Sequence, residues 1–319
     1  MNQTPRALGP ALAALLVAGA GVAASPVGQD PAADLVKQGQ GLVREGQHAE
    51  ALALFQKALV ASPDSYQANT QAGVVLDLMG RYDEGRTYLG KAIEVAGDLQ
   101  TKTRALRNMA MSYAFQGDCA NAVKYSSQAF DLFKAENDFF NQGEVANELA
   151  RVCLESGDFD TAYKWYETGH EAGLKEPDLT EARKDLWEFR WQHAQARIAA
   201  RRGNAAEARK HVASAKAALD KGTNPEQQVF FPYLTGYVAF YGGDYETALA
   251  DLLKGNQNDP FIQSLIAQSY EKLGDQAQAK AWYEKVLTSN AHNPTNAFAR
   301  PLAKQKLGTS ERPRSSRPA

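Results

Sequence analysis

The sequence predicts an all-α fold in which helix pairs repeat along one continuous solenoid. Seven turn glycines recur along the 319-residue chain, at Gly46, Gly80, Gly117, Gly157, Gly203, Gly243 and Gly274. Seven residues before each glycine, and five and twelve residues after it, 20 of the 21 positions hold Ala or Gly. Such small residues let two helices approach closely, and a glycine between them suits a left-handed C-cap.

Apolar residues at helical spacing on both sides of each glycine support this prediction. Before Gly46, Leu35 and Leu42 lie on one helix face. After Gly46, the apolar face of the second helix consists of Ala51, Leu52, Phe55, Ala58 and Leu59. One helix pair cannot bury its apolar stripe alone, so successive pairs must stack on one another. We therefore expect one elongated domain over residues 32–307.

The spacing between the glycines runs 34, 37, 40, 46, 40 and 31 residues. Over residues 32–290 the chain resembles the tetratricopeptide repeat family, whose unit is a pair of helices of 34 residues in all. The resemblance implies a right-handed α-solenoid of about seven repeats. It also implies a large residue nine positions after each turn glycine. Phe55, Leu89, Tyr166, Leu252 and Tyr283 match this, and Ser126 departs from it.

The longer middle units predict extended helices and connections. Asp178 and Glu181 have capping-box spacing and predict the start of a long helix that runs to Arg201. Pro225 and Pro260 each follow an Asn or Asp, which is typical of the first residue of a helix.

The two ends of the chain differ in composition from the repeats. Residues 294–307 predict a capping helix on the seventh unit, which Pro301 should kink or restart. Residues 308–319 are polar and lack periodicity, which predicts a disordered tail.

Residues 1–24 have the layout of a secretory signal peptide, followed by a linker over residues 25–31. A short start with one positive charge precedes an apolar stretch, and small residues end at Ala24. We expect cleavage after Ala24, export to the periplasm or the outside, and no stable membrane span afterwards. An uncleaved anchor is the alternative, but the stretch is short, weakly apolar and interrupted by Pro10.

The chain has two cysteines, Cys119 and Cys153. They fall on neighbouring predicted helices, and an exported protein meets an oxidising environment in which they could form a disulfide. Two separate buried thiols are the alternative, and the sequence favours that interpretation.

Composition and motifs argue against several classes of function. Lys and Arg number 35 against 37 for Asp and Glu, so the net charge of −2 disfavours a general nucleic-acid binder. The five histidines lack metal-ligand spacing. Nucleophile, phosphate-loop and dinucleotide motifs are missing from the sequence. We therefore predict no catalytic residue, metal or cofactor, and the sequence leaves the oligomeric state open.

In this family the first helix of each pair lines an inner groove. Its outward positions lie 13, 10, 6, 3 and 2 residues before the turn glycine. The third unit then offers Arg104 and Arg107, and the fifth offers Arg190, His193, Arg197 and Arg201. The sixth unit offers Phe230, Tyr233, Tyr237, Phe240 and Tyr241.

Aromatic and arginine side chains together are typical of protein interfaces, and arginine pairs well with carboxylates. This groove predicts binding of a protein or an extended peptide with apolar and acidic side chains. Alternatively, the aromatic residues pack on neighbouring helices and the arginines pair with local Glu and Asp.

These observations predict a non-enzymatic interaction scaffold or adaptor of the bacterial cell envelope. The second candidate is a periplasmic accessory subunit of a polysaccharide or cell-wall assembly system that binds a glycan or an enzyme partner. Aromatic stripes serve both, so the sequence leaves the choice open. An enzyme with its site inside the groove is the least favoured interpretation.

Overall fold

The computed structural model describes residues 31–309 of the chain. The predicted signal peptide at 1–24, most of the linker at 25–31 and nearly all of the tail at 308–319 lie outside the described residues. Within 31–309 the protein consists of helices and turns without a β-strand, as the predicted fold class requires.

Seven consecutive helix pairs form the repeat array, with one turn glycine inside each pair. The pairs are α1 (Pro31–Arg44) and α2 (His48–Ala61), α3 (Tyr66–Met79) and α4 (Tyr82–Val95), α5 (Leu99–Ala114) and α6 (Cys119–Ala135), α7 (Phe139–Ser156) and α8 (Phe159–Gly173), α9 (Glu181–Arg201) and α10 (Ala205–Asp220), α11 (Phe231–Tyr241) and α12 (Tyr245–Leu252), and α13 (Pro260–Lys272) and α14 (Gln276–Val286). A 3-10 helix (Pro225–Phe230) precedes α11, and α15 (Pro294–Lys306) follows the last pair.

The turn inside each pair contains a left-handed glycine, and in most pairs a capping residue follows it. All seven turn glycines have a positive φ, between 68° and 92°. In five units the next residue is Asp or Asn, and its side chain accepts a hydrogen bond from a backbone N–H in the first turn of the second helix. The glycine therefore ends one helix, and the residue after it begins the next.

The small residues lie where the two helices of a pair touch. A Cβ atom on Gly236 would lie 2.7 Å from Cγ of Leu252, and one on Gly73 would lie 2.6 Å from Cγ of Leu89. Both leucines are fully buried. Each large residue therefore fills the space that the glycine of the partner helix leaves open.

The long fifth unit differs from its prediction at one end. Helix α9 ends at Arg201 as predicted, but its N-cap is Thr180, whose Oγ1 accepts a hydrogen bond from the N–H of Arg183 at 3.3 Å. Asp178 instead has a positive φ of 55° and belongs to the preceding turn. The prediction of Asp178 as the cap is wrong by two residues.

Cys119 and Cys153 form a disulfide, with their Cα atoms 4.8 Å apart. Cys119 is the first residue of α6, and Cys153 lies near the end of α7. Because these two helices pack together, the sulfur atoms meet across the boundary between the third and fourth units. The preference for two separate thiols is corrected by this pairing.

Helix α15 covers the last pair, and Ala299 and Ala303 are buried there with Tyr283. The helix runs through Pro301 to Lys306 without the restart that the proline predicted.

The segment that ends in α15 also reaches the first half of the array. The guanidinium of Arg300 donates to the carbonyl of Leu78 at 2.8 Å, and Nε2 of His292 lies 2.8 Å from Oδ2 of Asp77. Nε2 of His48 lies 2.8 Å from Oδ1 of Asn290. The cap therefore connects the two ends of the array instead of covering the seventh unit alone.

Among the helices between residues 31 and 309, none combines the length and apolar character that crossing a membrane requires.

Candidate functional site

A cavity of about 460 Å³ lies among the first helices of the third to seventh units. Helices α5, α7, α9, α11 and α13 each contribute a side chain to its wall, and Pro294 at the start of α15 borders it. Five successive first helices therefore face one open cavity. Six of the predicted residues line it: Arg107, Arg190, His193, Arg197, Phe230 and Tyr233.

A second cavity, of about 530 Å³, lies beside α5 and α7. Arg104 and Arg107 line it, together with His292 from the segment before α15. Arg107 and Glu148 line both cavities, so the two adjoin at this ion pair.

The remaining aromatic residues of the sixth unit lie away from the cavity. Tyr237 is fully buried, and its ring packs 4.6 Å from that of Tyr241 and 6.4 Å from that of Phe261. Phe240 is also buried, against Tyr241 and Tyr245. The predicted contact role of Tyr237 and Phe240 is corrected accordingly, because these two side chains pack on their neighbours. Tyr241 is partly exposed and lines a different cavity, beside α9 and α10, so its contact role stays a prediction.

Three of the predicted arginines pair with glutamates of α7. Arg107 forms a two-point contact with Glu148, with N–O distances of 2.8 and 3.1 Å. Arg190 pairs with Glu144. Arg201 pairs with the buried Glu155 at 2.7 Å and takes no part in the cavity wall. For these arginines the alternative interpretation, pairing with local carboxylates, is the one that the structure shows.

The charged stripe on α7 is the main feature that the sequence analysis missed. It comprises Glu144, Glu148, Arg151 and Glu155, which recur every three, four or seven residues. The offsets that indicate Arg197 from Gly203 indicate Glu144, Asn147, Arg151 and Glu155 from Gly157. The signal was therefore present in the fourth unit, and the same offsets find it there.

Arg197 and Arg151 face the cavity without a carboxylate partner among the described residues. Arg197 is 6% exposed, and its Nη2 donates to the hydroxyl of Tyr166 at 2.9 Å, while its Nη1 is buried and makes no hydrogen bond. Nη2 of Arg151 donates to the hydroxyl of Tyr233 at 3.3 Å, and its buried Nε makes none.

His193 adds a third buried polar atom at the same place, because its Nε2 also lacks a hydrogen bond. Burial, assisted by the positive charges of Arg197 and Arg151, holds the pKa of His193 well below its usual value of 6.5, against a backbone hydrogen bond with Phe230 that raises it. The imidazole is therefore neutral at physiological pH and can accept or donate one hydrogen bond.

Over residues 31–309, no three His, Cys, Asp or Glu side chains cluster in an arrangement that could hold a metal ion. The chemistry that the cavity offers is thus hydrogen bonding by guanidinium groups beside aromatic rings.

Comparison with protein families identifies the repeat. Three family models described as tetratricopeptide repeat match the chain, at residues 64–135 and 101–175, at 191–214 and at 262–293. Together with the helix pairs, these matches show that the chain belongs to the tetratricopeptide repeat family. Proteins of this family generally act as non-enzymatic scaffolds that bind other proteins.

Solved structures share the fold at low sequence identity. A tetratricopeptide repeat protein from Parabacteroides merdae aligns with a TM-score of 0.51 and 15% identity, over 88% of this chain and 99% of its own. The apo form of RapI aligns with a TM-score of 0.53 and 12% identity, over 88% and 99% respectively. No curated protein matches the chain. These likenesses show the architecture alone.

Proposed function

We propose that the protein is a non-enzymatic scaffold of the cell envelope that binds a segment of a partner protein in the cavity between the third and seventh units. The observation that carries this proposal is the composition of the cavity edge. Val229 and Phe230 are 48% and 43% exposed there, beside the arginines of the wall. Exposed aromatic and apolar side chains next to arginine are the residues that dominate binding energy at protein interfaces.

The dimensions of the cavity limit what enters it. A volume of about 460 Å³ is in the range of small-molecule sites. It therefore suits one or two side chains of a partner, while the rest of that partner rests on the rim. This is a more compact contact than an extended peptide that follows the whole groove.

Two features support a location in the cell envelope. The signal-like residues 1–24 predict export, and the disulfide between Cys119 and Cys153 suits an oxidising compartment. A cytosolic protein of this family would gain nothing from such a bridge, because thiols there are kept reduced.

A protein partner fits better than a glycan. Sugars stack on exposed aromatic rings, but Tyr233, Tyr237 and Phe240 are all buried. Phe230 alone among the predicted aromatic residues is well exposed. One exposed ring is enough for an interface anchor, whereas a glycan platform needs several.

Capture of partners from envelope extract by the tagged mature protein, quantified by mass spectrometry after crosslinking, tests the proposal. We expect Phe230→Ser to reduce recovery of the partner strongly, because the exposed anchor is removed. The matched control is Val60→Ser, since Val60 is 85% exposed on α2, far along the chain from the cavity. Equal recovery with the wild type and both variants would contradict the proposal.

A further inference from the structure

We propose that the floor of the cavity is a binding site for a single carboxylate group, held by the guanidinium groups of Arg151 and Arg197. The proposal deepens the proposed function, because it names the chemical group through which a partner is recognised. The acidic side chain of a partner segment and a free C-terminal carboxylate share this chemistry.

The first argument is the contrast between paired and unpaired arginines. Arg107, Arg190 and Arg201 each have a glutamate of α7 within ion-pair distance. Arg151 and Arg197 have only tyrosine hydroxyls and one backbone carbonyl as hydrogen-bond acceptors in the part of the chain that the structure describes. The buried carboxylate of Glu155 attracts both arginines, but it is paired with Arg201, so neither Arg151 nor Arg197 has an ion-pair partner of its own.

The second argument is the cost of leaving those charges as they are. Arg197 is buried and Arg151 is half-buried. A charged group that is withdrawn from water without an ion-pair partner is unfavourable, and a buried N–H donor without an acceptor adds to that cost. Aromatic rings reduce the cost in part, since the guanidinium of Arg151 lies 5.2 Å from the ring of Phe261 and that of Arg197 lies 5.6 Å from the ring of Tyr166. Rings do not satisfy Nε of Arg151 or Nη1 of Arg197. An anion between them would.

The charge of the cavity wall favours one negative charge. Four arginines and three carboxylates line it, namely Arg107, Arg151, Arg190 and Arg197 against Glu144, Glu148 and Asp259. With His193 neutral, one positive charge is left over. A carboxylate balances it, whereas a phosphate dianion would leave an excess negative charge near three carboxylates.

Asp259 is a carboxylate of the cavity wall that could compete with a bound anion, but it already has hydrogen-bond partners. Its Oδ1 accepts hydrogen bonds from the backbone N–H groups of Phe261 at 2.8 Å and Ile262 at 3.3 Å. It therefore caps α13 and is not bonded to Arg151. The planar guanidinium groups remain available for the two oxygens of an incoming carboxylate.

The surroundings also indicate what lies next to the carboxylate. Val229, Phe230 and Ile262 line the cavity beside the arginines. An apolar or aromatic side chain adjacent to the acidic group would fill this part of the space. We therefore choose probes that join a phenyl ring to a carboxylate.

The test uses the full mature protein and four probes. N-acetyl-phenylalanine carries a terminal carboxylate, and N-acetyl-Phe-Glu-amide carries a side-chain carboxylate only. N-acetyl-phenylalaninamide carries no charge, and inorganic phosphate serves as the dianion. Calorimetry gives the affinity, and NMR of the arginine Nε–H groups reports whether the signal of Arg151 moves. We expect one or both carboxylate probes to bind and to shift that signal, with the amide and phosphate at least about tenfold weaker.

Variants assign the binding to the two arginines. Arg151→Gln and Arg197→Gln should each weaken the carboxylate probes about tenfold or more. Arg202→Gln is the matched control, because Arg202 directly follows α9 but pairs on the surface with Asp160. If Arg197→Gln does not fold, Arg197→Lys keeps the charge, loses the planar fork and should still bind more weakly. Binding of the amide as tightly as the carboxylates, or unchanged binding in both glutamine variants, would overturn the proposal.

The outcome also separates this inference from the proposed function. In one outcome the carboxylate probes bind and their affinity depends on Arg197, but partner capture does not depend on Phe230. This result would support the carboxylate site and contradict the proposed function. In the other outcome partner capture depends on Phe230, but the carboxylate probes do not bind. This result would support the proposed function and contradict the carboxylate site.

Discussion

Single residues fix both the packing of each repeat and the chemistry of the cavity. The close approach of the two helices in each pair was predictable, because the small residues around each turn glycine make room for it. The partners of the arginines were not, because pairing depends on how α7 and α9 are rotated against each other. The sequence therefore identified Arg197 as an inner residue, but only the structure shows that Arg197 lacks a carboxylate while Arg190 has one.

A pair of glycine substitutions tests the packing. Gly236→Ala should lower the free energy of unfolding by about 1–2 kcal/mol, because the new Cβ would lie 2.7 Å from Cγ of Leu252. Gly41→Ala on α1 is the control, since its Cβ would meet only the flexible end of Arg44 at 3.9 Å. Gly41→Ala should raise the free energy of unfolding by about 0.5–1 kcal/mol, because alanine has a higher helix propensity than glycine. Urea unfolding of both variants decides this, and equal effects would contradict the packing argument.

The lowered pKa of His193 has a consequence for stability against pH. The native protein keeps the imidazole neutral, whereas the unfolded chain takes up a proton below the usual pKa of 6.5. Stability should therefore fall as the pH drops below about 6.5 towards the native pKa. His48 and His170, whose pKa values are also lowered by burial, act in the same direction.

Melting temperatures between pH 7.5 and pH 5 measure this effect. The wild type should lose stability over that range, and His193→Gln should lose less, because it removes one group that titrates. A slope for His193→Gln as steep as that of the wild type would show that His193 is not held neutral.

Among the helices, most boundaries could be predicted from local sequence signals, whereas the long-range contacts of α15 could not. The glycine turns, the start of α13 at Pro260 and the end of α9 at Arg201 are encoded within a few residues. The reach of α15 to α3 depends on contacts between residues more than 200 positions apart, such as Arg300 with the carbonyl of Leu78. No local pattern predicts a contact of that range, so the sequence indicated the helix and missed its second partner.

Arg300 is the residue that holds this element in place. Its buried guanidinium donates to the carbonyls of Leu78, Leu287 and Ser289 at 2.8–2.9 Å. Arg300→Ala should cost about 2–3 kcal/mol, since three carbonyls lose a charged donor. Lys306→Ala on the same helix removes an exposed pair with Glu271 and should cost at most about 1 kcal/mol. Chemical denaturation compares the two, and equal losses would contradict a bridging role for the cap.

At the scale of the whole molecule, the disulfide and the cap both limit how far the array can open. The bridge between Cys119 and Cys153 joins positions that are 34 residues apart, across the boundary of the third and fourth units. The cavity lies among the first helices of the third to seventh units, so this boundary falls within it. Bridge and cap together therefore limit movement of the cavity wall.

Removal of the disulfide should destabilise the folded protein. Closing a loop of this length stabilises a protein by about 2–4 kcal/mol, so Cys119→Ser with Cys153→Ser should lower the free energy of unfolding by that amount. Intact mass of the purified exported protein, with and without reduction, should differ by the two hydrogens of one disulfide. An unchanged mass would show two free thiols, the interpretation that the sequence favoured.

The proposed function requires that a partner protein binds at the cavity between the third and seventh units. The most direct measurement places a photo-crosslinking amino acid at position 230 in cells of the source organism, and at position 60 as the control. We expect position 230 to give a distinct protein adduct that is lost when Arg197→Gln is added, and position 60 to give none. The same adduct from both positions, or no adduct from position 230, would show that no partner binds specifically at this cavity.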